Sequence, residues 1–218
     1  MITILQHGEH ESAGTITDTL QEKNEPFSIL RLYKGDPVPA EPPEKLIILG
    51  GQMSVNDERE FPFLTEEKQL VKKAVAHGST VLGVCLGAQM IAAACGKKVY
   101  AGEKELGWRA INGCHSPGQR FFPGEFDVFH WHRETFDLPD GARLLATGKT
   151  IKNQAFMLNT ALGVQFHPEV TQEIIAYWAK DLDTDEREAI LKESEKKLDG
   201  NRILCNAIVS VFVSGWKW

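Results

Sequence analysis

The sequence lacks paired cysteines, long apolar runs and an excess of basic residues. Its four cysteines (Cys85, Cys95, Cys114 and Cys205) show no CxxC spacing, which argues against a zinc ribbon or a disulfide framework. No apolar run approaches the roughly 20 residues that span a bilayer, and the N-terminus has no basic segment followed by a small-residue cleavage site. The net charge of -6 offers no broad basic surface to phosphate backbones. We therefore expect a cytoplasmic protein that binds neither nucleic acid nor membranes.

The length and composition are those of an ordinary globular protein. The chain has 218 residues, of which 42% are hydrophobic and 25% are charged. This length can bury a core without help from disulfides or a metal. We expect residues 1–218 to form a single domain.

The first half of the chain alternates short apolar runs with amphipathic segments. Buried strands are predicted at Met1–Gln6, Phe27–Tyr33, Lys45–Gly50 and Thr80–Cys85, and helices at Gly14–Asn24, Phe61–Gly78 and Leu86–Cys95. In the second helix, Thr65 is a candidate N-cap and Gly78 a candidate end. Such alternation predicts an α/β protein with a three-layer, doubly wound, mostly parallel sheet.

The second half predicts a small antiparallel extension of that sheet. Short strand candidates, separated by glycine, proline and asparagine, are Lys97–Ala101, Leu106–Ile111, Glu125–His132, Arg143–Thr147, Gln154–Leu158 and Ala161–His167. Two helices are predicted to follow, Gln172–Leu198 with a break near Asp181–Thr184, and Arg202–Gly215.

Cys85 lies where a buried strand ends and a helix begins. A tight turn there exposes the side chain at its apex, and Gly83 and Gly87 relieve crowding on either side. The positive end of the helix dipole favours a thiolate. These features suit a nucleophile, whereas the alternative is a cysteine that packs as a small hydrophobic residue.

A candidate base follows the last predicted strand. His167 ends that strand, and Glu169 follows two residues later, across Pro168. A thiol nucleophile needs a proton acceptor, and a carboxylate can hold that imidazole in one tautomer. A histidine at a strand end can also be merely structural. The assignment of His167 as a base therefore depends on the presence of Cys85 as a nucleophile.

Two glycines follow the third predicted strand. Gly50 and Gly51 would let backbone amides approach a ligand oxygen, and the amides of Gly51 and Leu86 could form an oxyanion hole. The alternative is an ordinary strand-to-loop turn. Open α/β sheets place their sites at this carboxyl edge.

The loop His7-Gly-Glu-His-Glu11 has two histidines three residues apart with carboxylates nearby, but no complete ligand set. We expect no metal and no organic cofactor.

The segments Gly50-Gly51, Gly83-Val-Cys-Leu-Gly-Ala-Gln89 and Gly163-Val-Gln-Phe-His-Pro-Glu169 together resemble class I (triad-type) glutamine amidotransferases. Within that superfamily the chain resembles the free-standing, GMP-synthetase-like domain proteins, which include plant γ-glutamyl peptidases. The resemblance covers nearly the whole chain and implies a flavodoxin-like fold.

The resemblance also implies roles for individual residues. Cys85 would form a γ-glutamyl thioester, His167 would act as base and then acid, and Glu169 would orient His167. Gly51 and Leu86 would donate the oxyanion amides.

The same resemblance implies contacts with the substrate. Gly50 and Gln89 would contact the glutamyl group. The stretch Phe129-His-Trp-His-Arg-Glu-Thr-Phe is similar to a family loop with a Ser-His-x-Asp-like motif, which makes His132 a substrate-binding candidate. There Trp131 replaces a small residue and Glu134 replaces the aspartate.

The resemblance implies hydrolysis of the γ-amide of glutamine, with ammonia passed to an unidentified acceptor. There are two candidate partners: a synthetase or acceptor domain, and a second copy of the chain in a homodimer. Two alternatives stay open: a γ-glutamyl peptidase or hydrolase acting on glutathione-like compounds, and an inactive regulatory or binding module. The chain has no GxxxxGK[ST] loop, and this absence leaves both the amidotransferase and the peptidase open.

Overall fold

A computed structural model describes residues 1–114, 122 and 124–216 of the chain. Its centre is a nine-stranded sheet with the strand order β2-β1-β3-β4-β9-β8-β7-β5-β6. The strands are β1 (Ile2–Gln6), β2 (Phe27–Arg31), β3 (Lys45–Ile48), β4 (Thr80–Val84), β5 (Val99–Gly113), β6 (Glu125–Phe136), β7 (Arg143–Gly148), β8 (Ala155–Leu158) and β9 (Ala161–Val164). The helices are α1 (Gly14–Glu22), α2 (Phe63–His77), α3 (Leu86–Ala94), α4 (Gln172–Trp178) and α5 (Thr184–Val213).

The five strands β2, β1, β3, β4 and β9 run parallel, with helices on both faces. Successive residues of β1 and β3 point to opposite faces, as a pleated strand requires. Ile4 and Ile47 join the core beneath α1 and α5, whereas Leu5 and Ile48 join the core beneath α2 and α3. The predicted three-layer, doubly wound α/β fold is confirmed.

The other four strands, β8, β7, β5 and β6, extend the sheet in antiparallel order from β9. β5 is one strand of 15 residues where the sequence predicted two separate strands, Lys97–Ala101 and Leu106–Ile111. Its pairing with β6 shifts register between Ala101 and Glu105, so the two segments belong to one bulged strand.

The C-terminal helices differ from prediction at one point. The predicted break near Asp181–Thr184 is confirmed, and the Asp183 carboxylate caps α5 by accepting from the Glu186 amide at 3.0 Å. The predicted break between Leu198 and Arg202 is wrong, because α5 runs unbroken through Gly200. One exposed glycine costs a helix only about 1 kcal/mol, and the buried residues that follow, Cys205, Ile208 and Phe212, hold the helix on the sheet.

The start of α2 is also corrected. The helix begins at Phe63 with Pro62 at the N-cap position, so Thr65 lies inside the first turn and does not cap it. Gly78 ends α2 in the left-handed region at φ 77°, as predicted. No helix in the described part of the chain combines the length and apolarity needed to cross a bilayer.

Candidate active site

Cys85 occupies the turn from β4 into α3 and is 5% exposed. Its backbone adopts φ 49° and ψ -103°, an unusual conformation for a residue other than glycine. A Cβ on Gly83 would come within 2.5 Å of the Gly87 carbonyl, and one on Gly87 within 2.2 Å of the Ile48 oxygen. The two glycines therefore permit the tight turn that presents the cysteine.

His167 and Glu169 follow β9, which lies beside β4 in the sheet. The Nδ1 atom of His167 is 2.7 Å from Oε1 of Glu169, and both side chains are buried. Nε2 of His167 has no hydrogen-bond partner among the described residues. Because Nδ1–H donates to the carboxylate, Nε2 is the nitrogen left for proton transfer.

The glycine at position 50 lies against both reactive side chains. A Cβ added to Gly50 would be 2.9 Å from Cε1 of His167 and 3.8 Å from Cβ of Cys85. The three segments identified in the sequence therefore meet at one point, at the carboxyl edge of the parallel strands.

The charge state of His167 follows from its neighbours. Burial alone lowers the pKa of this imidazole, but the Glu169 carboxylate and the Cys85 sulfur favour the cation and together raise the pKa to about 10. An imidazolium next to a sulfur atom stabilises a thiolate in turn.

Gly51 and Leu86 also come together at this edge. A Cβ on Gly51 would lie 2.6 Å from Cδ2 of Leu86 and 3.0 Å from Cβ of His7. Leu86 is the first residue of α3, where backbone amides lack helical partners.

His7 holds the turn formed by Gly50 and Gly51, a role that the sequence did not predict. Its Nδ1–H donates to the Gly50 carbonyl at 3.1 Å, and its Nε2 lies 3.0 Å from both carboxylate oxygens of Glu67. Both side chains of this pair are fully buried. Burial alone would lower the pKa of His7, but the charge and hydrogen bond of Glu67 outweigh it and the pKa is raised.

In contrast His10 stacks on Tyr177, with ring centroids 3.5 Å apart, so the two histidines of the first loop have separate partners.

Two glutamines link Cys85 to strand β6. Nε2 of Gln165 lies 3.7 Å from the Cys85 sulfur, and Nε2 of Gln89 donates to Oε1 of Gln165 at 3.4 Å and to the Glu134 carbonyl at 3.2 Å. Sequence reasoning missed Gln165, although it lies inside the segment that ends in His167 and Glu169. The only available signal was a polar residue within an otherwise apolar strand end.

A cavity of about 900 Å³ opens over the cysteine. Five of the eight predicted site residues line it, namely Cys85, Gly51, Gln89, His132 and His167. Gly50, Leu86 and Glu169 are not among its lining residues. The remaining wall carries both signs of charge, from Lys104, Arg133 and Lys180 and from Glu11, Glu134 and Asp181. The cavity therefore suits a polar ligand with both cationic and anionic groups.

The chain is similar in sequence to glutamine amidotransferases over most of its length. Residues 14–175 match the sequence model of a family described as glutamine amidotransferase class-I. A glutamine amidotransferase-like protein of Salmonella typhimurium, YfeJ, is 32% identical over 180 residues, which is 78% of this chain and 75% of that protein. In Thermoplasma acidophilum, one subunit of the glutamine-hydrolyzing GMP synthase is 33% identical over 132 residues, which is 57% of this chain and 62% of that protein.

Two solved structures are similar over almost the whole chain. A glutamine amidotransferase from Thermotoga maritima superposes with a TM-score of 0.87 at 30% identity and covers 97% of each chain. A glutamine amidotransferase from Methylobacillus flagellatus gives a TM-score of 0.91 at 27% identity, covering 98% of this chain and 94% of that one.

Proposed function

This chain belongs to the class-I glutamine amidotransferase family, and from that premise we propose that it hydrolyses the γ-amide of glutamine at Cys85 through a γ-glutamyl thioester. The observation that carries the proposal is the His167–Glu169 contact of 2.7 Å, which leaves Nε2 of His167 without a partner among the described residues, beside the cysteine turn.

In the first half of the proposed reaction, the Cys85 thiolate attacks the γ-carbonyl carbon of the substrate. The carbon–nitrogen bond breaks as the imidazolium of His167 gives its proton to the leaving nitrogen, which departs as ammonia. The products are a thioester on Cys85 and a neutral imidazole.

In the second half, water attacks the thioester carbonyl and His167 accepts a proton from that water. The carbon–sulfur bond breaks, glutamate leaves, and the thiolate and imidazolium are restored. Glu169 contributes by holding Nδ1–H throughout, which keeps Nε2 directed to the reacting atoms.

The amides of Gly51 and Leu86 are the proposed donors to the oxyanion that forms in both halves. Their close approach, together with the absence of a side chain at Gly50 and Gly51, supports this assignment. Such donors typically contribute 10²- to 10³-fold to the rate, on the order of 3 kcal/mol.

The zwitterionic head of the glutamyl group is proposed to bind in the mixed-charge cavity, with Gln89 and His132 in its wall. The ammonia is proposed to pass to an acceptor on a synthetase partner, a proposal supported by the similarity to a component of a GMP synthase.

One observation favours a second candidate function. Substrate pockets typically have volumes of about 300 to 1,000 Å³, and this cavity of about 900 Å³ is near the upper end of that range. It has room for γ-glutamyl compounds longer than glutamine, with Lys104 and Arg133 available for an extra carboxylate. A γ-glutamyl peptidase would use the same thioester chemistry.

The test is turnover of glutamine, glutathione and γ-glutamyl amides by the purified chain. Ammonia and free glutamate are measured separately. Hydroxylamine is added to trap the thioester as the hydroxamate. Cys85→Ala should lose activity by at least about a thousandfold. Cys95→Ala, which changes a free cysteine at the other end of the same helix, should retain it.

The outcomes separate the candidates. Turnover of glutathione without turnover of glutamine would replace the amidase by the peptidase. Activity that survives in Cys85→Ala, or wild-type protein that yields neither product nor hydroxamate from any compound, would contradict the proposed chemistry and favour an inactive module.

A further inference from the structure

Three buried side chains meet on one face of the β5–β6 hairpin. Glu105 of β5 lies directly opposite His132 of β6, and His130 lies two residues along β6 on the same face. Glu105 is 3% exposed although Glu103 and Lys104 before it are exposed. The register shift that precedes Glu105 accounts for this inward direction, since bulges redirect side chains.

The donor atoms of the three side chains form a nearly equilateral triangle. Oε2 of Glu105 is 3.1 Å from Nε2 of His132 and 3.3 Å from Nδ1 of His130, and the two nitrogens are 3.2 Å apart. Nitrogen and oxygen ligands about 2.0 to 2.1 Å from a tetrahedral Zn²⁺ are separated by about 3.3 Å. The triangle therefore has the dimensions of three corners of a zinc tetrahedron.

Protons alone cannot satisfy this triangle. Each of the two nitrogens carries at most one hydrogen, and the ionised carboxylate carries none. If both hydrogens point to Glu105, the two N–H groups of His130 and His132 face each other. If only one hydrogen is present, the nitrogen without it presents its lone pair to the carboxylate or to the other nitrogen. In every arrangement, one edge of the triangle places two N–H groups or two lone pairs against each other. A central cation, in contrast, satisfies all three lone pairs.

Two of the three ligands are held as in common metal sites, whereas Nε2 of His130 has no hydrogen-bond partner among the described residues. Nδ1 of His132 lies 3.2 Å from the Glu134 carbonyl, so Nδ1–H can donate there and leave the Nε2 lone pair free for an ion. Nε2 of Gln154 donates to Oε2 of Glu105 at 3.0 Å and orients that carboxylate. All three ligand side chains are at most 4% exposed, and His132 borders the cavity over Cys85, from which water can supply the fourth ligand of a tetrahedral ion.

We propose that Glu105, His130 and His132 bind a divalent first-row transition-metal ion of the Zn²⁺ class, through Oε2, Nδ1 and Nε2 respectively. Two imidazoles and a carboxylate are an ordinary donor set for zinc. The site departs from the expectation, drawn from the sequence, that the chain binds no metal.

The bound ion has a positioning role. Through His132 it holds the Glu134 carbonyl, which accepts a hydrogen bond from Gln89 in the wall of the cavity over Cys85. No step of the proposed hydrolysis passes through the ion, so the metal site and the hydrolysis can be tested separately.

The experiment measures metal binding by the full chain. Chelator-treated protein is titrated with Zn²⁺ in competition with a chromophoric chelator, and metal content is then determined by mass spectrometry. Wild type should bind one Zn²⁺ per chain and gain thermal stability on binding. Glu105→Gln and His130→Asn should each weaken binding by at least about tenfold, because even the loss of an outer-shell partner of a ligand costs that much. Glu103→Gln, which makes the same change on an exposed residue of the same strand, should bind as wild type does.

Substitution of Co²⁺ into wild-type protein keeps the test valid if the ligand variants fail to fold. The absorption bands of tetrahedral Co²⁺ should appear at one equivalent and disappear when Zn²⁺ is added. The proposal is overturned if wild type binds neither ion stoichiometrically, or if folded Glu105→Gln and His130→Asn bind Zn²⁺ as tightly as Glu103→Gln.

Discussion

At the scale of single residues, the proposed hydrolysis depends on how His167 is charged. Its imidazole is buried, yet it faces the Glu169 carboxylate on one side and Cys85 on the other. The balance of these effects raises the pKa of His167 to about 10. Because this folded-state pKa exceeds the usual value of 6.5, the cation stabilises the fold fully below pH 6.5, and this stabilisation is lost as the pH rises toward 10.

The contribution of Cys85 to this charge state can be measured. Cys85→Ala should lower the pKa of His167, because it removes one of the two groups that favour the cation, and Glu169→Gln should lower it by removing the other. The measurement is an NMR titration of the His167 ring proton in wild type and the two variants. A pKa for His167 that stayed the same in both variants would show that neither group controls its charge.

At the scale of secondary-structure elements, helix α5 connects the C-terminal region to the site. Asn201 of this helix donates from Nδ2 to the His167 carbonyl at 3.2 Å and to the Pro168 carbonyl at 3.0 Å. These bonds hold the segment between His167 and Glu169. They require the helix to continue through Gly200, where nothing lies within 4 Å of an added Cβ.

The continuity of α5 leads to a stability prediction. Gly200→Ala should raise the free energy of unfolding by about 0.5 to 1 kcal/mol, since alanine is the better helix former and has open space there. Gly96→Ala is the matched control. Its Cβ would also meet nothing, but Gly96 has φ 78°, so alanine there should destabilise the protein. Urea denaturation measures both, and a destabilised Gly200→Ala would contradict an unbroken helix.

At the scale of the whole molecule, the buried pair His7–Glu67 joins parts of the chain that are 60 residues apart. His7 follows β1, Glu67 belongs to α2, and the same imidazole holds the Gly50 carbonyl next to the proposed oxyanion site. A buried ion pair stabilises a protein little in itself, but removal of one partner leaves a costly unpaired charge.

Substitutions in the His7–Glu67 pair can distinguish its effect on stability from its effect on activity. His7→Leu should lower the free energy of unfolding by about 3 to 5 kcal/mol, because Glu67 stays buried without its partner. Adding Glu67→Met should restore much of that loss, whereas turnover should stay low, since the Gly50 carbonyl still lacks its donor. Urea denaturation and steady-state assays of the single and double variants check this. Recovery of full turnover in the double variant would show that His7 does not position the glycine turn.

Local signals in the sequence predicted the parallel half of the fold and the segments that form the candidate site. Apolar runs, helical spacing and turn glycines are local signals, so Gly50-Gly51, Cys85 and His167 could each be placed at a strand end. Parallel strands end at one edge of a sheet, which predicted that these segments meet, and the structure brings them together there.

The pairing of residues that are distant in the sequence became visible only in the folded chain. Strand β5 is continuous because a bulge fits its pairing with β6, and this same bulge turns Glu105 toward His130 and His132. In the sequence Glu67 is one of two adjacent glutamates in a predicted helix, and only the packing of α2 buries it against His7. Local pattern cannot reveal such contacts, because they depend on strand register and helix packing, which are set by the whole core.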